Sequence, residues 1–152
     1  MRLMHLCDMD LVHDGAAVLV RPYGGEEGSV FGQGGGRVTG ERLRGTARWF
    51  NHAHRRSDGV MLPDIQGVIA TDDGAVIAFS MRGRTVWVPT NDGTVGSQML
   101  HVNFEAQDER HRWLNNVLCV SEAIVSLPGP EGMPPRMIKC ARVYVCDNEL
   151  LP

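Results

Sequence analysis

One stretch holds most of the side chains able to do chemistry: RWFNHAHRRSDGVMLPDIQGVIATDDGAVIAFSMRGR, from Arg48 to Arg84. Within it, Asp64 interrupts an otherwise apolar strand pattern. A carboxylate on an apolar face must be paired or have a raised pKa. With a raised pKa it is a general acid or base near neutral pH. The alternative is a structural ion pair with Arg55 or Arg82, buried for specificity. Glu105 shares a strand face with His101 and Asn103. That polar row either lines a lumen, where Glu105 and Asp64 form an acid–base pair, or is an ordinary solvated outer face.

His52 and His54 stand at i, i+2, share a strand face and can chelate a metal. In a cupin-like arrangement Asp58 and His101 would complete the ligand set. The same histidines also suit a subunit contact or metal-free proton transfer. Asp58 is needed in a turn and a second cupin motif is absent, so no metal and no cofactor is assigned. There is no GxSxG and no cysteine in an activating motif.

The elements that must position these groups follow from two turns. Asp58-Gly59 and Asp73-Gly74 are the dipeptides of a tight type I′ hairpin. A two-residue loop at Asp73-Gly74 pairs Ala70 with Ile77 and Val68 with Phe79. One at Asp58-Gly59 pairs Ala53 with Asp64 and Asn51 with Gln66. Trp49, Asn51 and Arg55 then share the face of Asp64, Phe79 and Met81, with His52 and His54 on the other side. A bulge slips the register by one residue and reverses the assignment. The opposite face (Met61, Ile65, Ile69, Val76, Ala78) is apolar too. A sheet apolar on both sides must be covered on both, which predicts a homo-oligomer.

The remaining chain is strand-like: Leu3–Leu11, a segment from Ala17, Leu43–His54, TVWVP, Met99–Ala106, VLCVSEAIVSL and MIKCARVYVC. QDERHRWLNN fits one helical turn, and the proline-rich LPGPEGMPPR a loop. The glycine-rich run Gly24–Gly40 lacks a phosphate-loop lysine and a following helix, and reads as bends and bulges of a curved sheet. The expected fold is a single all-β domain over residues 1–152, an antiparallel barrel of about eight to ten strands with one short helical turn.

Composition excludes several partners. The net charge is -3, which gives no case for nucleic acid or an anionic membrane. No stretch is long enough to span a bilayer as a helix. Lys139 is the only lysine among the basic residues. Four cysteines without CxxC spacing, and no apolar leader run, lead us to expect a cytoplasmic protein with reduced, mostly buried thiols.

Several segments carry a family likeness: GRVTGERLRG (Gly36–Gly45), DGVMLPD (Asp58–Asp64), ATDDGAVI (Ala70–Ile77), RGR (Arg82–Arg84), FEA (Phe104–Ala106) and HRWLNN (His111–Asn116). From about Gly35 onward the chain resembles the family named "domain of unknown function 3237". The resemblance implies a calycin-like antiparallel barrel and brings little settled function. Relatives show a Gly-x-Asp-Trp segment whose Asp-Trp falls on Asn51-His52 here, and an Arg-Tyr that becomes Gln66-Gly67. Asp64, Glu105, Trp113 and Asn115 match the family pattern.

These readings converge on a barrel that binds a small, partly apolar metabolite and performs cofactor-free acid–base chemistry of the isomerase, cyclase or lyase type. Asp64, His52, His54 and Glu105 are the candidate proton carriers. Asn51, Arg55, Arg82, Trp49, Phe79, Trp113 and Asn115 are the candidate substrate contacts. Three alternatives stay open: a non-catalytic binding barrel, a cupin-like metal-dependent enzyme using His52 and His54, and a structural module whose lumen is filled by Trp49, Phe79 and Met81.

Overall fold

A computed structural model describes residues 1–15, 17–25, 27–91, 93–126 and 138–150. It contains ten strands: β1 (Arg2–His13), β2 (Val18–Val20), β3 (Gly28–Thr39), β4 (Gly45–Arg55), β5 (Met61–Leu62), β6 (Asp64–Thr71), β7 (Val76–Thr90), β8 (Gly93–Ala106), β9 (Leu118–Ser126) and β10 (Ile138–Asp147). Every pairing is antiparallel. Eight of the strands close a ring in the order β3-β1-β10-β9-β8-β7-β6-β4, with β4 returning to β3. β2 adds to β3, and the two-residue β5 bridges β4 and β7. Closure satisfies the ladder without a free sheet edge around the ring. The expected all-β barrel is the fold. The proline-rich loop at 127–136 and Asp92 of the Asn91-Asp92-Gly93 turn lie outside the described residues.

Both diagnostic hairpins form, with a loop one residue longer than expected. Gly59 N–H donates to the Arg56 carbonyl at 2.9 Å, and Arg56 N–H to the Val60 carbonyl at 3.0 Å. At the second turn Gly74 N–H donates to Thr71 O at 3.0 Å and Thr71 N–H to Ala75 O at 2.9 Å. Gly59 and Gly74 have φ of 84° and 89°, whereas Asp58 and Asp73 stay at negative φ. A type I′ turn needs positive φ at both central residues; a type I turn closed by a glycine bulge needs it only at the glycine. Each loop is therefore three residues, and each register moves by one. Asn51 faces Ile65, and Asp64 faces Arg82.

That single step decides which side chains are inside. Ala47, Trp49, Ile65, Ile69, Ile77, Phe79, Met81, Val102 and Phe104 point inward and are buried. The expectation that Asp64, Gln66, Val68 and Ala70 share the face of Phe79 and Met81 is corrected: they lie outside, with Val76, Ala78, Ser80 and Arg82.

The glycine-rich run is a regular strand rather than a series of bends. β3 presents Gly32, Gly34 and Gly36 to the interior, opposite Asn51, Trp49 and Ala47. A Cβ on Gly34 would lie 1.8 Å from the Val12 carbonyl oxygen and one on Gly36 1.5 Å from that of Asp10. Only glycine lets β1 and β3 run this close. After Thr39 the chain leaves the sheet and re-enters it at Gly45.

Candidate active site in the open end of the barrel

The two ends of the ring differ. At one end Leu43, Ile77, Phe104, Ala106 and Leu114 pack solidly. The 3-10 turn Arg112–Asn116 seals it. Asn115 accepts the Ala106 N–H at 2.7 Å and donates to the Ala106 carbonyl at 2.9 Å, so its amide is committed to the seal. Trp113 packs against this core, with the Arg42 guanidinium 3.6 Å from its ring centre. These two residues close one mouth of the barrel as a packing plug. Trp49, Phe79 and Met81 fill the middle, each 4% exposed or less.

The other end is open. A cavity of about 520 Å³ is lined by Ala17, Leu19, Val30, Ala53, Met61, Pro63, Trp87 and Val125, with His13, Asn51, Arg55, Thr85 and Gln98 as its polar groups. An apolar pocket with a few convergent polar side chains is the usual make-up of a small-molecule site. β1 brings His13, the last residue of the inward row Cys7, Met9, Leu11. β4 brings Asn51 and Arg55, and paired β7 and β8 bring Thr85 and Gln98. Gln98 Nε2 bonds Thr85 Oγ1 at 2.8 Å.

His13 is the cavity-lining candidate that sequence reasoning missed. Its ring meets the Trp49 indole edge-on at 4.7 Å between centres. A Cβ on Gly32 would lie 2.8 Å from its Cε1, so the glycine is the floor that admits the imidazole. His13 Nδ1 is buried and has no hydrogen-bond partner among the described residues. Burial pushes its pKa below the ordinary histidine value, with Asp14 pulling weakly the other way. A neutral imidazole at physiological pH is a proton acceptor. The available signal was the alternation Cys7, Met9, Leu11, His13, an apolar face ending in a histidine just before a turn.

All four expected proton carriers lie on the outer wall. Asp64 is paired outside with Arg82, Nε to Oδ1 at 2.9 Å, with side-chain exposures of 36% and 64%. The Arg82 hydrogen bond pulls the Asp64 carboxyl below its ordinary value, against a smaller opposing effect of burial. The ion-pair alternative therefore describes Asp64, and the raised-pKa premise is corrected. His52 and His54 are exposed beside it in an open groove with Ser29, Leu62, Arg84 and Met99. The His52 ring stacks on Phe31 at 4.4 Å. Among the described residues no group of three His, Cys, Asp or Glu is placed to hold a metal ion. Glu105, His101 and Asn103 form the solvated outer row of β8, so Glu105 makes no pair with Asp64 across a lumen. Of the expected contacts, Asn51 and Arg55 line the cavity; Trp49 and Phe79 are core beneath it.

A second polar cluster lies at the sealed end. His111, 6% exposed, bonds Asp73 through Nε2 at 2.9 Å, and Asp73 also takes Thr71 Oγ1 and Arg110. The Thr71 hydrogen bond, followed by His111, holds the Asp73 carboxyl low. This network ties the β6–β7 loop to the 3-10 turn.

The architecture recurs in solved structures. A β-barrel-like protein from Acinetobacter baumannii AYE aligns at a TM-score of 0.79 and 17% identity, over 95% of this chain and 94% of that one. An enzyme from Penicillium herquei aligns at 0.72 and 21%, over 96% and 94%. A protein of unknown function from Clostridium acetobutylicum aligns at 0.77 and 15%, over 96% and 97%. At these identities the likeness carries the fold alone. No curated protein matches the chain. The family model described as "Protein of unknown function (DUF3237)" matches residues 2–131, beginning well ahead of the motifs that first suggested it, and the chain belongs to that family.

Proposed function

We propose that the open end of the barrel binds a small, partly apolar metabolite and moves a proton on it without a cofactor. The observation that carries this reading is the cavity of about 520 Å³ in which His13 and Asn51 converge within apolar walls. His13 takes the role of proton carrier that the sequence suggested for Asp64. Its neutral, desolvated imidazole suits proton abstraction near neutral pH, and general base catalysis of this kind contributes roughly 10²- to 10⁴-fold. Arg55 stands at the mouth, four residues along β4 from Asn51. The enzyme from Penicillium herquei shows that this fold can host catalysis.

The test is proton exchange. The protein is incubated in D₂O with a panel of small ketones and enones, and label is followed by NMR. Incorporation by the wild type that disappears in His13→Gln supports the enzyme. Ligands that bind yet stay unlabelled after prolonged incubation make it a binding barrel. A homo-oligomer belongs to the same proposal: outward-facing Phe31, Phe50, Val68 and Val76 are all more than 40% exposed. A monomeric mass by light scattering at micromolar concentration would count against it.

A further inference from the structure

We infer that Asn51 turns its side-chain NH₂ into the lumen to hold a carbonyl oxygen, so that the ligands of this site are carbonyl compounds with an acidic hydrogen beside the carbonyl. The inference rests on the proposed proton-transfer function and names its substrate class.

The orientation of Asn51 follows from a break in the sheet. β5 pairs with β4 only as far as His54 with Leu62, and the ladder resumes at Asn51 with Ile65. Between them stands Pro63, which has no N–H to give. The Asp64 N–H next to it donates instead to Asn51 Oδ1 at 3.1 Å. A peptide nitrogen can only donate, so its partner must be the amide oxygen of Asn51. Which branch is oxygen and which nitrogen is thereby fixed by chemistry. Nδ2 takes the other branch; the hydrogen bond from the Asp64 N–H engages Oδ1 alone, and the residue lines the cavity. A carboxamide nitrogen offers two donors and no acceptor. A ligand meeting it must present an acceptor.

The base stands beside this donor. The His13 ring lies over Gly32, whose cross-strand partner is Asn51. No side chain separates them on the β3 side. Leu19, Met61, Trp87 and Val125 give the apolar walls for the rest of the ligand. In the step this permits, the C–H bond beside the carbonyl breaks and its proton passes to the imidazole. The electron pair moves into a new C=C bond, and the carbonyl oxygen becomes an enolate oxygen held by the Asn51 NH₂. Return of the proton to a different carbon completes an isomerisation with no further reactant. A fixed donor aimed at the oxygen where charge develops is the arrangement that accelerates such a step.

Two probes of one shape test it: 2-acetylnaphthalene, and 2-isopropenylnaphthalene, in which a CH₂ replaces the oxygen. Binding is followed by tryptophan fluorescence. The wild type is expected to prefer the ketone about tenfold, as one well-placed hydrogen bond allows. Asn51→Asp keeps an acceptor for the Asp64 N–H and removes the donor; Asn51→Leu removes both. Loss of the preference in both variants, each folded by circular dichroism, supports the assignment. Equal binding of the two probes by the wild type, or a preference that survives in Asn51→Asp, overturns it and leaves the lumen as the binding site. Failure of both probes to bind the wild type overturns the assignment together with the lumen reading.

Discussion

The sealed and open ends of the barrel are built from the same strands and obey opposite rules. β7 contributes Ile77 and Phe79 to one and Thr85 and Trp87 to the other. β4 contributes Ala47 and Trp49 to the first and Asn51 and Arg55 to the second. Toward the seal, the inward side chains of Ala47, Ile77, Phe104 and Leu114 pack into one core, and the Asn115 amide is spent on the Ala106 backbone. Toward the mouth, polar residues such as Asn51, Thr85 and Gln98 join Met61, Trp87 and Val125 in lining a cavity rather than filling it. Packing dominates one end and the proposed chemistry lies at the other, with Trp49 and its edge contact to His13 marking the boundary. The lesson is that a strand's inner face is not one environment; its two ends are separate design problems.

The comparison breaks most sharply at His13. His13→Gln is expected to lower proton exchange by about 10²- to 10⁴-fold, with little loss of stability. An unchanged exchange rate by NMR would move the chemistry out of the lumen. At the sealed side, Phe79→Ala is expected to cost about 3–5 kcal/mol in urea unfolding. At the mouth, Met61→Ala is expected to cost less than about 1.5 kcal/mol while weakening ligand binding. Similar losses at both positions would erase the distinction between the ends.

The pH response gives a finer test. The folded His13 pKa lies below that of the unfolded chain, about 6.5. As pH falls below that value the unfolded state takes up a proton that the folded state refuses. Stability therefore declines with falling pH until the folded pKa is passed, and is unaffected by this group above about 6.5. The proton-transfer rate rises with pH through the same depressed pKa and levels before neutrality. Both slopes should vanish in His13→Gln, measured by denaturant titration and exchange. The smallest effect is at Asp64. Asp64→Asn removes a partly exposed ion pair with Arg82 and is expected to change stability by less than about 1 kcal/mol, less still at high salt. A large loss of exchange in that variant would return the chemistry to the outer groove.

The barrel was legible in the sequence because strand alternation and DG turns are local signals. The site was only half legible, because it depends on a non-local count. A glycine after aspartate serves both a two-residue turn and a three-residue loop, and what separates them is structure around it. Asp58 Oδ1 takes the Val60 N–H at 3.2 Å, and Thr71 Oγ1 takes the Ala75 N–H at 2.8 Å; each stabilises the longer loop. With the longer loops, Asn51 and Arg55 enter the lumen without Asp64, and the histidines His52 and His54 go outside with it. His13 was legible as the end of the row Cys7, Met9, Leu11, but not as a lumen residue. Its role depends on a bare glycine at position 32 of another strand, and a glycine-rich run says nothing by itself about which neighbour uses the room.

The paired three-residue loops carry an evolutionary corollary. Deleting a single residue from Ser57–Gly59 would press β6 to shift by one against β4, a shift opposed by its ladder with β7 and by the buried Ile65 and Ile69. The two hairpins thus hold each other in step, and the set of inward reactive groups changes only if both loops change together.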